Sequence, residues 1–221
     1  NSPGRNRKVI DGLADGVGHC DVRVLLGYAG LGQIDDIVKG CKTHHGRAAL
    51  PAAAKNTSLH TVNASQGITP IKLTDEEEAH DHGDYDPHIW LSLINAQQEV
   101  RNIADALSEA DPANKAYYQQ NAENYTRQLQ ALQDEYAGKF AKAPRKDFVT
   151  GHAAFAYLCR DFGLTQQSVE SVFSSGEPSA RQLARLADYC RAHNVKTIFV
   201  EDMVSPETSE TLAREVGARV E

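Results

Sequence analysis

The chain reads as an α/β protein with mainly parallel strands and one long helix linking two parts. Three observations predict this. Residues 148–220 alternate short apolar runs with amphipathic helical stretches, the pattern of βα units and a parallel sheet. Residues 118–140 carry a single apolar stripe too long for an ordinary globular helix. The first sixty residues show one strand-like run and several glycines but little sustained periodicity.

Taken in order, Asp21 to Leu26 alternates and then turns apolar as a strand would, followed by Gly27, Gly30 and Gly32. A short helical pattern surrounds Ile34 to Val38, and Thr61 to Ala64 reads as a brief strand ending at Gln66-Gly67. Ala96, Val100, Ile103 and Leu107 then share one helical face, and Asp111-Pro112 restarts a helix with a cap and a first-turn proline. Tyr118, Ala122, Tyr125, Leu129, Leu132, Tyr136 and Phe140 continue at spacings of four and three as far as Pro144. Roughly thirty residues at 1.5 Å each give about 45 Å, a spine against which two lobes would pack.

Beyond the spine, Phe148 to Thr150 predicts a strand and Ala153 to Phe162 a helix stopped by Gly163. Gln167 to Val172 predicts a second strand. Ser179 caps a helix carrying Leu183, Leu186 and Cys190, with Asn194 at its end. Thr197 to Val200 reads as a buried parallel strand, and Pro206 to Val216 as a helix closed by Gly217. Arg219 to Glu221 opens another strand, so the natural protein is expected to continue and the last lobe to be truncated. The expected divisions are an N-terminal lobe at 1–92 with a histidine-rich loop at 75–88, a helical linker at 93–143 and a C-terminal lobe at 144–221.

The net charge of −7 argues against a nucleic-acid partner, because no basic stripe exists to neutralise phosphates. No apolar run approaches the length of a bilayer span, and the polar start, Asn1 to Lys8, has no signal-peptide core. Cys20, Cys41, Cys159 and Cys190 form no Cys-x-x-Cys pair, which argues against a structural thiolate zinc site. Cys159 and Cys190, both on predicted helices, are open to two readings: one disulfide, or two buried free thiols.

The chemistry concentrates in two places. His80-Asp81-His82-Gly83-Asp84-Tyr85-Asp86-Pro87-His88 packs three histidines and three aspartates into nine residues, a ligand density that suits a borderline cation such as zinc. Within it, Pro87 stiffens the turn and pushes Asp86 to extended geometry, so His88 is presented rigidly, with Ile89 and Trp90 as apolar anchors. Asp86 or Asp84 is placed to accept the imidazole's other N–H. His80 and His82 follow the acidic stretch Thr74 to Glu78, which has no packing residues and reads as a mobile loop able to capture metal only weakly. His152 stands where a strand hands over to a helix, the usual ligand position on a parallel sheet. Glu201, at the end of the Thr197–Val200 strand, faces the same carboxyl edge, either supporting a ligand or bonding backbone amides. No serine nucleophile elbow, acid–base carboxylate pair or His-Glu-x-x-His helix is present, so binding is favoured over catalysis.

These motifs carry a family resemblance. Asp84-Tyr85-Asp86-Pro87-His88-Ile89-Trp90-Leu91-Ser92, Asn95-Ala96, Asp111-Pro112-Ala113-Asn114, the run Phe148 to Leu158, Glu177-Pro178-Ser179 and Thr197 to Glu201 resemble the zinc-binding solute-binding proteins of bacterial ABC importers, over roughly residues 61–221. The resemblance implies two Rossmann-like lobes joined by a long rigid helix, with the metal held between them. It implies His88 and His152 as ligands, one from each lobe. Manganese-binding relatives place a glutamate where His152 stands, so Zn(II) is expected ahead of Mn(II). It further implies a membrane permease as partner, a monomer, and export to the periplasm or the cell surface as a lipoprotein. Two departures stand out. The family's first histidine ligand, in a turn after an early strand, is replaced here by Leu25 to Gly30, and a final carboxylate ligand would lie beyond Glu221. His44 and His45 are weak substitutes for the first. The competing readings are a zinc-dependent hydrolase using a metal-bound water and a metal-buffering adhesin.

Overall fold

The computed structural model describes residues 62–73, 85–172, 178–201 and 206–221. The expected early strand and helix, His44, His45, His80, His82, Asp84, Cys20 and Cys41 lie outside the described residues. The first described segment is not the expected strand. Asn63 Oδ1 accepts hydrogen bonds from the backbone N–H of Ser65 at 3.1 Å and from its hydroxyl at 2.7 Å. That side-chain competition for the backbone closes a turn instead, with Gly67 at φ +82°.

Helix α1 spans Leu93–Ala110, its N-terminus capped by Ser92, whose Oγ accepts the Asn95 N–H at 3.0 Å. The expected face of Ala96, Val100, Ile103 and Leu107 is only half-buried, whereas Asn95, Gln97, Glu99, Ala104 and Ser108 are buried. A short 3-10 turn, Pro112–Asn114, leads into helix α2, Lys115–Lys142. Asp111 holds this corner by accepting from Asn114 Nδ2 at 2.8 Å and Tyr118 Oη at 2.9 Å. At 28 residues α2 runs about 42 Å. The spine exists, but its stripe is unevenly used. Tyr118 and Leu129 are buried while Tyr125, Leu132 and Tyr136 are exposed. The reason is that α2 packs along α1, with Gln97 donating to Gln130 at 3.2 Å, and meets helix α3 at its far end, where the Phe140 and Phe162 rings lie 5.0 Å apart.

The second half is a parallel α/β layer. Strand β1 is Asp147–His152, helix α3 Ala156–Phe162, strand β2 Thr165–Glu170 and helix α4 Ala180–Ala192. Strand β3, helix α5 and strand β4 follow at Thr197–Ile198, Glu207–Val216 and Arg219–Val220. β1 pairs in parallel with β2, and β3 with β4. A parallel bridge between Thr150 and Phe199 joins the pairs, backed by Gly151 N to Phe199 O at 2.8 Å and Phe199 N to Val149 O at 2.9 Å. The strand order is therefore β2-β1-β3-β4. Val149, Val169, Leu186, Cys190, Ile198 and Leu212 form the core between sheet and helices. Burial of about 25 cal/mol per Å² of such apolar surface is what drives this layer together.

Three caps follow expectation, whereas the expected N-cap at Asp111 makes no side-chain cap bond and α2 starts only at Lys115, after the 3-10 turn. Ser179 and Gln182 form a reciprocal capping box on α4, and α3 and α5 end at Gly163 and Gly217 in left-handed geometry. Three boundaries shift. β1 runs on through His152, so α3 starts at Ala156, three residues later than expected. β2 begins and ends two residues early, because its register is set by pairing Asp147 with Thr165. The regular part of β3 stops at Ile198, and Phe199 is exposed. Cys159 and Cys190 are both buried free thiols, which decides between the two readings of that pair. Burial pushes the Cys159 thiol up to about 12.

Candidate metal centre

In the order β2-β1-β3-β4 the chain leaves β1 to one side and then crosses to the other. The switch point therefore falls between β1 and β3, where crevices open at the carboxyl ends of parallel strands. His152 is the last residue of β1, and Glu201 lies just past β3. The two residues singled out in the second half thus lie at the carboxyl ends of the neighbouring strands β1 and β3. The rigidity of His152 comes from the strand rather than from a helix directly after it.

His88 arrives from the other half. Asp86, 1% exposed, is the hub of its turn. Asp86 Oδ1 accepts the His88 backbone N–H at 2.8 Å and stands 2.9 Å from His88 Nδ1. A carboxylate oxygen only accepts, so Nδ1 carries the hydrogen and Nε2 presents its lone pair. Ile89 is 1% exposed and anchors the turn, but Trp90 is 44% exposed and is no core anchor. Its ring lies against His88 instead, with centroids 5.5 Å apart.

The two imidazoles come together. Their centroids are 4.9 Å apart and their planes nearly perpendicular, at 78°. His152 Nε2 lies 2.7 Å from the Val172 carbonyl, so that nitrogen is the donor here and Nδ1 holds the free lone pair. Glu201 differs from both. Its two carboxylate oxygens are buried and have no hydrogen-bond partner among the described residues. Among the described residues, no group of three or more His, Cys, Asp or Glu side chains gathers as a complete metal cage. The pair supplies two nitrogen donors of the kind zinc takes at about 2.0–2.1 Å.

Sequence reasoning left one residue without a role. Tyr157, fully buried on α3, accepts the Ile71 N–H at 2.9 Å and donates to the Asp86 carbonyl at 2.7 Å. Burial pushes its hydroxyl above the ordinary tyrosine value, which keeps it a donor. One turn on, Asp161 accepts the Ser92 hydroxyl. Helix α3, which starts just after His152, thereby grips the segment that presents His88. The available signal was a lone tyrosine five residues after His152, which periodicity assigns only to the core.

The chain matches the family described as zinc-uptake complex component A, periplasmic (ZnuA), over residues 40–221. It is 46% identical over 177 residues to a putative metal-binding protein of Treponema pallidum, covering 76% of this chain and 56% of that protein. It is 43% identical over 182 residues to the high-affinity zinc uptake system protein ZnuA of Bacillus subtilis, covering 78% of this chain and 57% of that protein. The chain thus spans a little over half the length of these relatives. The crystal structure of AdcAII from Streptococcus pneumoniae superposes with a TM-score of 0.74 at 31% identity, over 100% of this chain and 74% of that one. With a family match over residues 40–221 and a fold shared with a solved relative, the chain belongs to the ZnuA family.

Proposed function

We propose that this chain is an extracytoplasmic zinc receptor that captures one Zn(II) with His88 and His152 and passes it to the membrane permease of an ABC importer. The observation that carries this reading is the approach of two imidazoles to 4.9 Å, one of them oriented by a buried carboxylate. A histidine whose far nitrogen is tied to Asp86 is set up to ligate. Two borderline nitrogen donors favour Zn(II) over Mn(II), and the Irving–Williams order adds to that preference. The family supports zinc as the cargo, and neither named relative is described by a reaction. In this reading 1–92 and 144–221 are the two lobes, 93–143 links them, and His80 and His82 form an auxiliary capture loop. The receptor works as a monomer in the periplasm or at the cell surface, without a nucleic-acid partner or a catalytic step.

Competition against a chromophoric zinc chelator tests the ligand pair. His88→Ala and His152→Ala should each weaken zinc binding by about 100-fold or more, roughly 2.7 kcal/mol. Unchanged affinity in either variant would remove that residue from the site.

A further inference from the structure

We propose that the pocket between α1, α3 and the segment 62–73 is a second binding site, for a small organic anion carrying carboxylate or phosphate groups. None of the residues lining it is a candidate metal ligand, and the inference does not depend on the zinc-receptor reading.

The pocket has a volume of about 270 Å³. Its lining includes two arginines, Arg101 and Arg160, and no acidic residue, in a chain whose net charge is −7. Asn95, Gln98 and Thr69 add polar groups, and Ile94, 49% exposed, adds an apolar one. The two guanidinium groups are held differently. Arg160 Nε and Nη2 donate to Asp161 Oδ1 at 3.0 and 2.9 Å, and its guanidinium carbon lies 5.2 Å from the Tyr157 ring centre. Those contacts fix the group and leave its other edge free to donate. Asp105 follows Arg101 by one helical turn, yet Arg101 makes no ion pair or hydrogen bond among the described residues.

The walls are tied to one another without a ligand. Asn102 Nδ2 donates to the Ala64 and Gln66 carbonyls at 2.6 and 2.9 Å, which holds the turn to α1. Tyr157 Oη accepts the Ile71 N–H at 2.9 Å and ties the same segment to α3. A concave site already formed loses little freedom when a ligand enters. Planar guanidinium forks match carboxylate and phosphate oxygens, and they repel cations. At about 30 Å³ per water the pocket holds roughly nine waters, room for a short carbon body as well as its charged ends. Ile94 gives that body an apolar contact.

The test titrates metal-free protein by calorimetry, at fixed ionic strength, with succinate, glycerol phosphate and sulfate. Wild type should bind succinate or glycerol phosphate saturably, and the tighter of the two identifies the headgroup. Arg101→Gln should weaken that binding tenfold or more and keep the wild-type melting temperature, because Arg101 holds no other group. No saturable binding of either organic anion overturns the proposal. Binding that Arg101→Gln leaves unchanged overturns it by putting the anion elsewhere. Sulfate binding as tightly as both would deny the organic body a role, and a lowered melting temperature in Arg101→Gln would make the arginine structural. Either result overturns it as well.

Discussion

Glu99 shows at the scale of one residue how burial writes pH dependence into the fold. It sits on α1, 6% exposed, and desolvation raises its carboxyl from 4.5 to about 7. A group whose folded pKa lies above its unfolded value binds its proton more tightly in the native state. The stability linked to that proton is fully present below about 4.5 and is lost as pH rises through about 7. Glu99→Gln, permanently neutral, should therefore unfold at higher temperature than wild type at pH 8. The advantage is about 2 kcal/mol and disappears near pH 4.5. Thermal melts at both pH values check this, and equal melting temperatures at pH 8 would show the carboxylate to be compensated. Cys159 follows the same physics, since a thiol raised to about 12 is unreactive at neutral pH.

Among the elements, α3 does the most to couple the two ligand-bearing segments, although it is seven residues long. Tyr157 and Asp161 lie four apart and so share one face. That face holds the Ile71 N–H, the Asp86 carbonyl and the Ser92 hydroxyl. Tyr157→Phe keeps the ring but removes two hydrogen bonds and leaves the half-buried Ile71 N–H and the buried Asp86 C=O without the hydroxyl. The expected cost is about 2–3 kcal/mol in urea unfolding. Zinc binding should weaken too, because the turn that aims His88 loses its tie to the β1–α3 segment. Full stability in this variant would mean that water replaces the hydroxyl. Capping on α4 is a smaller matter: the Ser179 and Gln182 box contributes about 1 kcal/mol and touches no site residue.

For the whole molecule, the relevant question is whether the histidine-rich loop or its anchors set tight binding. The anchors are described: an antiparallel bridge between Lys72 and Tyr85, and Asp86 N donating to Ile71 O at 2.9 Å. Removing Glu76 to His82 leaves both legs with their partners. Such a deletion should hold the tight site within about tenfold, roughly 1.4 kcal/mol, while slowing capture or lowering the number of weak sites. Calorimetry on the deleted chain decides it, and loss of the tight site would make His80 or His82 a direct ligand.

Local chemistry in the chain was enough to foretell the helices of residues 93–216, the caps at Ser179, Gly163 and Gly217, the βα order, and His88 and His152 as the residues to watch. Those features depend on neighbours within a turn or two, such as Pro87 stiffening the His88 turn or Gly163 and Gly217 ending helices. Other properties depend on residues far apart in sequence, and only the tertiary structure decided them. The pairing of Asp147 with Thr165 set where β2 begins, and the packing of α2 along α1 left Tyr125 and Tyr136 exposed. Asn63 outcompeted a weak strand signal by binding its own backbone neighbour. The meeting of two imidazoles at 4.9 Å, the grip of Tyr157 on two distant strands of chain, and the Glu201 carboxylate against Gly151 arise from strand order and long-range contacts. Such contacts leave no periodicity in the chain, because the residues that make them are brought together only when the sheet closes around its switch point.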